Sequence, residues 1–263
     1  MGTTMPKFSA NLTFLYTDLP LLDRFAAAAK SGFKGVEYMS PYEEAKSDLA
    51  ARLRDNGLTQ LLFNLPAGNW GAGERGIAIF PDRVEEFRRG VHQAIDYAGA
   101  LDCGMINCLV GIAPKDADQN VLHKTLLANL AYAAAELAKA NIKLLIEPIN
   151  TRDIPGFYLN RTDQARRLID EVGSDNLFVQ YDIYHMQIME GDLTRTIEAN
   201  LPRIAHVQLA DNPGRNEPGT GEINYPFLFR HLDRIGYSGW IGCEYKPLTT
   251  TDAGLGWIKP YQS

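Results

Sequence analysis

Eight short apolar runs, rich in β-branched and aromatic residues, recur along the chain with longer helix-forming segments between them: Phe8–Leu12, Gly35–Met39, Leu58–Asn64, Met105–Val110, Ile142–Glu147, Leu177–Asp182, Ile204–Leu209 and Trp240–Tyr245. Their spacing of roughly 33 residues is that of one strand and one returning helix. Such alternation makes the strands parallel, and eight units are the number that closes a sheet on itself. The expectation is an α/β fold, a single (β/α)8 TIM barrel of parallel strands over residues 1–263, with an open doubly wound sheet as the alternative. The segments between the runs agree with it. Pro20 stands at a first helical turn, the stretch from Asn129 to Lys139 is dense in strong helix formers, and Gly32, Asn56, Asn141 and Gly236 end helices shortly before the next strand.

Composition narrows the class of function. With 45% hydrophobic and 22% charged residues the chain can build a core. A formal charge of −6 lacks the basic footprint of a nucleic-acid or anionic-membrane binder. There is no apolar run of about 18 residues, and MGTTMPKFSANLTF has neither signal-peptide nor transit-peptide character, so a cytoplasmic location is expected. Cys103, Cys108 and Cys243 sit in apolar runs without a CxxC pair and are read as reduced core residues. No GxGxxG, Walker A, GxSxG or HExxH pattern stands in the required context. The expected partner is a small polar molecule, and the oligomeric state is left open.

Alternate residues of a barrel strand point into the barrel, so a polar residue between apolar neighbours marks the inner face. Leu144 and Ile146 are expected outside with Glu147 inside; Gln180 and Asp182 share the inner face; Ala205, Val207 and Leu209 face out while His206 and Gln208 face in; Ile241, Cys243 and Tyr245 face out while Glu244 faces in. Glu147, Asp182, Gln208 and Glu244 therefore converge where strands five to eight end. Three carboxylates in a low-dielectric mouth need a compensating cation or must take up protons. A set of three carboxylates and one amide suits Mg²⁺ or Mn²⁺ better than Zn²⁺. Taken singly, each carboxylate can equally be capping a helix or pairing with a Lys or Arg. His185, three residues past Asp182, is placed to donate to a substrate oxygen or to orient the carboxylate, Arg215 and Lys246 are candidates to hold an anionic group, and Glu37 is inward with either a cation or substrate to meet. The Gly/Pro-rich stretches 66–81 and 211–225 follow strands, on the face where barrels carry their sites, and are expected to cover the substrate.

The strings FNLPAGNW with AGERGI, EPINTRDIPG, QYDIYHMQ, ADNPGRNEPGTGEINY and GCEYKP resemble the hydroxypyruvate isomerase family of xylose-isomerase-like barrels, over essentially the whole span from Phe8 to Tyr261. The resemblance implies interconversion of hydroxypyruvate and tartronate semialdehyde, a step of glyoxylate metabolism, with catalytic glutamates at Glu147 and Glu244. Related sugar isomerases and epimerases hold a metal with Glu, Asp, His and Glu. Matching strand by strand gives Glu147, Asp182, Gln208 and Glu244, so an amide replaces the imidazole. It also implies His185 polarising a substrate oxygen and Arg215 or Lys246 binding the substrate carboxylate. The competing readings are a 2-oxo-tetronate isomerase or ketose 3-epimerase with the same site, an endonuclease IV-like barrel, which would want a His-rich zinc cluster that five His in an acidic chain do not supply, and a sugar-acid sensor without turnover.

Overall fold

Eight parallel strands close into a barrel in the computed structural model, which describes residues 6–261. The strands are β1 (Lys7–Asn11), β2 (Gly35–Glu37), β3 (Thr59–Asn64), β4 (Met105–Cys108), β5 (Lys143–Ile146), β6 (Leu177–Asp182), β7 (Ile204–Leu209) and β8 (Trp240–Cys243). They follow chain order around the barrel, and β1 closes on β8 with Phe8 opposite Ile241 and Ala10 opposite Cys243. The open-sheet alternative is excluded by that pairing. Each strand lies inside or within one residue of its expected run.

Helices return the chain on the outside: α1 (Leu21–Lys30), α2 (Lys46–Asn56), α3 (Val84–Leu101), α4 (Gln119–Lys139), α5 (Thr162–Val172), α6 (Ile183–Met189), α7 (Leu193–Asn200) and α8 (Tyr225–Ile235), with a short α9 (Thr251–Gly254) near the end. Several of them end where left-handed backbone is easily adopted, as at Gly236 with φ 85° after α8 and at Asn141 with φ 58° after α4. The outer faces of the strands, among them Phe8, Ala10, Leu144, Ile146, Val179, Tyr181, Ile241 and Cys243, join the helices in one apolar core. All three cysteines are free and buried there, as their apolar settings imply.

The barrel interior is built in tiers. Leu61, Leu62 and Leu145, packed with Met105, Phe178, Ala205 and Trp240, form an apolar plug. Ala205 was expected on the outside. The pairing of β6 with β7 slips between Val179 and Gln180, where Val179 faces Ile204 but Gln180 faces His206, and the skipped residue, Ala205, turns into the plug. Polar side chains lie beyond the plug, and the strand ends carry the carboxylates.

Candidate active site

Glu147 and Glu244 each stand one residue beyond the last residue of a strand, β5 and β8, and Asp182 is the last residue of β6. Alternation keeps all three on the inner side, and the chain turns away just after them. Together with His185 from the first turn of α6 they bring four potential ligand atoms within 4.8 Å of one another, all in buried residues. A buried cluster able to hold a metal ion is thus present.

Each member is oriented by its neighbours. Glu147 Oε2 accepts from Asn107 Nδ2 at 3.1 Å, and Asn107 also donates to Asn64 Oδ1 at 3.2 Å. Glu244 accepts from Asn11 Nδ2 at 3.5 Å on one oxygen and from Arg215 Nη2 at 3.3 Å on the other. Asp182 divides its duties. Oδ1 caps α6 by accepting from the backbone N–H groups of Tyr184 at 2.8 Å and His185 at 3.4 Å, while Oδ2 is buried without a hydrogen-bond partner. Helix capping and ligation, which the sequence offered as alternatives, are available to different oxygens of the same carboxylate.

Electrostatics follow from this crowding. Burial, reinforced by Asp182, pushes the Glu147 carboxyl well above the usual carboxylate range against the opposing pull of Arg215 and Asn107. Burial does the same to Glu244, with Arg215 opposing and Glu147 and Asp182 adding to the rise. The two glutamates therefore favour a shared protonation state in which at least one keeps its proton when no further cation is near. His185 is pushed down to about 4, first by burial, so its imidazole is neutral at pH 7. An orphaned Asp182 oxygen facing two more carboxylates is a set of hard oxygen donors, and it fits a divalent cation of the Mg²⁺ or Mn²⁺ type.

Glu37 belongs to the tier beneath and pairs with protein groups. Its carboxylate accepts from Ser9 Oγ at 2.8 Å, Gln208 Nε2 at 2.7 Å and Asn11 Nδ2 at 3.2 Å, and lies 2.8 Å from His206 Nε2. Although burial works against its charge, His206, Gln208 and Ser9 outweigh that cost and hold Glu37 below its ordinary value. Gly242 makes room for it, since a Cβ there would run into the Glu37 carboxylate. Gln208 sits opposite Asp182 in the sheet and lines a cavity together with Glu147, His185 and Glu244. Its amide is clamped on both sides: Nε2 is given to Glu37 and Oε1 accepts from Gln180 Nε2 at 2.7 Å, which leaves Oε1 one free lone pair.

The stretch 211–225 is folded around the Asp211 carboxylate, which accepts from the backbone N–H groups of Asn212, Gly219, Gly221 and Ile223 at 2.9–3.0 Å. This fixes Arg215, with φ 56°, over the cavity between the rings of Phe14 and Tyr184, 3.6 Å from Asp153 and 4.0 Å from Asp182. Arg215 Nε is buried without a partner, a donor available to a bound anion. Lys246, the other expected anion holder, is exposed and outside the cavity lining; its backbone ties the loop instead, the N–H donating to the Arg215 carbonyl at 2.8 Å and the carbonyl accepting from Asn216 Nδ2 at 2.7 Å. It lies beyond the strand, where period-two alternation no longer directs a side chain. From the other covering stretch, Trp70 reaches the cavity edge with Arg75 stacked on its ring at 3.7 Å, and a second cavity of about 630 Å³ adjoins there, sharing Tyr38, Met39, Asn64 and Trp70.

Asn11 and Asn107 hold the two glutamates, yet neither was singled out from the sequence. The signal was present: Phe8-Ser-Ala-Asn11 and Met105-Ile-Asn-Cys108 alternate as strands five to eight do. Asn150 and Asp153, which also border the site, lie in a turn and carry no such signal.

Known proteins show the same architecture. The family described as xylose isomerase-like TIM barrel matches residues 25–261. A hydroxypyruvate isomerase of Escherichia coli K12 is 56% identical over 258 residues, covering 98% of this chain and all of the relative. A 2-oxo-tetronate isomerase of Cupriavidus necator is 51% identical, covering 98% of this chain and 99% of its own. Among solved structures, one from Brucella melitensis described as an AP endonuclease of family 2 superposes with a TM-score of 0.96 at 45% identity, covering 98% of this chain and 100% of that one.

Proposed function

The chain belongs to the hydroxypyruvate isomerase family of xylose isomerase-like TIM barrels, and on that footing we propose that it interconverts hydroxypyruvate and 2-hydroxy-3-oxopropanoate (tartronate semialdehyde) through an enediolate, with Glu147 and Glu244 as acid and base. The observation that carries the reading is the pair of buried glutamates, from the ends of β5 and β8, with carboxylate oxygens within 4.8 Å of each other and both pushed toward the protonated state.

The reaction removes a proton from one carbon and adds a proton to its neighbour. One glutamate, ionised, takes a proton from C3 of hydroxypyruvate; the electron pair enters the C2–C3 bond and charge develops on the C2 oxygen. The other, protonated, delivers its proton to C2, while the hydroxyl proton leaves O3 for O2 and C3 becomes the aldehyde. The roles exchange in reverse. His185 donates to a substrate oxygen, and Arg215 binds the substrate carboxylate through its unpartnered Nε. Glu147, Asp182, Glu244 and the free lone pair of Gln208 would hold a divalent cation, Mg²⁺ or Mn²⁺. Such an ion supplies Lewis acidity at the carbonyl and hydroxyl oxygens when bound.

Turnover of 2-oxo-tetronate is a second reading, supported by the Cupriavidus necator relative and by the cavity of about 630 Å³ beside the site, which gives a longer acid room past Trp70. An endonuclease site would call for several histidines, whereas only His185 of that type stands among the grouped ligands. The test is proton NMR of hydroxypyruvate and 2-oxo-tetronate in deuterated water, before and after chelation and with Mg²⁺ or Mn²⁺ restored. Formation of tartronate semialdehyde carrying deuterium at C2 supports the reading. Absence of exchange with hydroxypyruvate under every metal condition refutes it.

A further inference from the structure

His185 has two ring nitrogens with different surroundings. Nε2 faces the carboxylates, 3.6 Å from Asp182 Oδ2 and 3.8 Å from Glu147 Oε1, whereas Nδ1 lies 2.6 Å from the side-chain nitrogen of Asn150. What Nδ1 must do depends on which way the Asn150 amide points. Here the backbone decides. Asn150 Oδ1 accepts from the N–H groups of Arg152 at 3.0 Å and Asp153 at 2.7 Å, donors that have no lone pair to offer. Nδ2 then holds the remaining positions, giving one hydrogen to Asp153 Oδ2 at 3.2 Å and the other to His185. Turning the amide over would set its NH₂ against two N–H groups and its oxygen against a carboxylate. All four hydrogen-bonding positions of a fully buried amide are used, and Nδ1 is obliged to accept.

We propose that Asn150 is a positioning residue that locks His185 in the Nε2–H tautomer, so that the imidazole meets the cavity as a hydrogen-bond donor and leaves cation binding to the oxygen ligands. The consequence for turnover rests on the isomerase reading above. With its hydrogen on Nε2, the nitrogen that stands 3.6 Å from Asp182 and 3.8 Å from Glu147, His185 is ready to donate to the substrate oxygen on which charge develops. The same hydrogen occupies the lone-pair position that a metal would need. His185 is thereby separated from the three carboxylates with which distance alone groups it.

Long-range ¹H–¹⁵N correlation spectra of the ¹⁵N-labelled protein read the two nitrogens of His185 directly. An unprotonated Nδ1 with a protonated Nε2 is expected at neutral pH; a proton on Nδ1 overturns the proposal. Asn150→Asp replaces the donor with an acceptor. It should move the hydrogen to Nδ1 and lower kcat by roughly 10- to 100-fold, the usual effect of removing a group that orients a functional histidine, with KM changing less. A folded Asn150→Asp protein whose tautomer is unchanged overturns the proposal even if its rate falls, because the loss is then structural. Should that variant fail to fold, the wild-type spectrum still decides. The spectra need no substrate, so a failure of hydroxypyruvate to react bears on the function and leaves the tautomer result intact.

Discussion

Replacing Asn107 with alanine removes the side chain that holds Glu147 from the neighbouring strand. Asn107 Nδ2 is 3.1 Å from Glu147 Oε2 and 3.2 Å from Asn64 Oδ1, and the residue is fully buried. A hydrogen bond to a charged partner contributes about 1.5–3 kcal/mol, so its loss translates into roughly a 10- to 150-fold fall in kcat/KM if Glu147 works as an ionised base or ligand. The freed Asn64 oxygen adds a stability cost of about 1–3 kcal/mol, or several degrees in Tm for a chain of this size. There is also a directional signature. The bond favours the ionised form of Glu147, so removing it raises that carboxyl further, and the acidic limb of the pH–rate profile should move to higher pH. The assay is hydroxypyruvate isomerisation by NMR across pH, with denaturant unfolding of the same samples. A folded Asn107→Ala protein with wild-type rate and an unmoved acidic limb would refute the assignment of Glu147.

Arg215→Met should raise KM for hydroxypyruvate about 10- to 100-fold, the scale of a lost charge-assisted hydrogen bond, while an analogue without the carboxylate is affected far less; equal losses for both, measured by steady-state kinetics, count against Arg215 as the anion holder. Metal-stripped protein should become less stable as pH rises. Glu147 and Glu244 keep protons in the folded state that the unfolded chain releases near pH 4.3, so their contribution is present below that value and is lost as pH climbs through the raised folded-state range. Thermal unfolding of metal-free protein from about pH 5 to 8 should show this decline, and the Glu147→Gln, Glu244→Gln double variant should show less of it. Added Mg²⁺ or Mn²⁺ should raise Tm more at the alkaline end, because the ion competes with those protons, and a pH-independent rise would contradict this.

The barrel was legible because period-two alternation and the strand–helix repeat are set by backbone geometry alone. The same parity put Glu147, Asp182, Gln208 and Glu244 on the inner face, where the structure has them. Legibility ended where the period ended. Ala205 sits at a slip in pairing that neither strand's own pattern announces, so its side chain turned inward against the alternation. Lys246 lies past the strand, where the loop's tie to the Arg215 carbonyl sets its direction. Asn150 works through a turn whose two backbone donors orient its amide, an arrangement written in local dihedral angles and invisible to side-chain periodicity. The tier around Glu37 was half visible: the inward carboxylate could be read, but its pairing with His206 across the barrel needed the closure of the sheet.

The division of labour between the two glutamates is tested most directly by following Glu147→Gln and Glu244→Gln in deuterated water, monitoring both the C3 protons of hydroxypyruvate and the appearance of tartronate semialdehyde. Each variant should lose product formation by at least about 100-fold, the scale of a missing general acid or base. The variant that retains the C3 base should still exchange substrate protons with solvent, and the other should not. Product formation at a near-normal rate in either variant, or transfer of the substrate's own proton to C2 without deuterium in the wild type, would contradict a mechanism in which two carboxylates serve the two carbons.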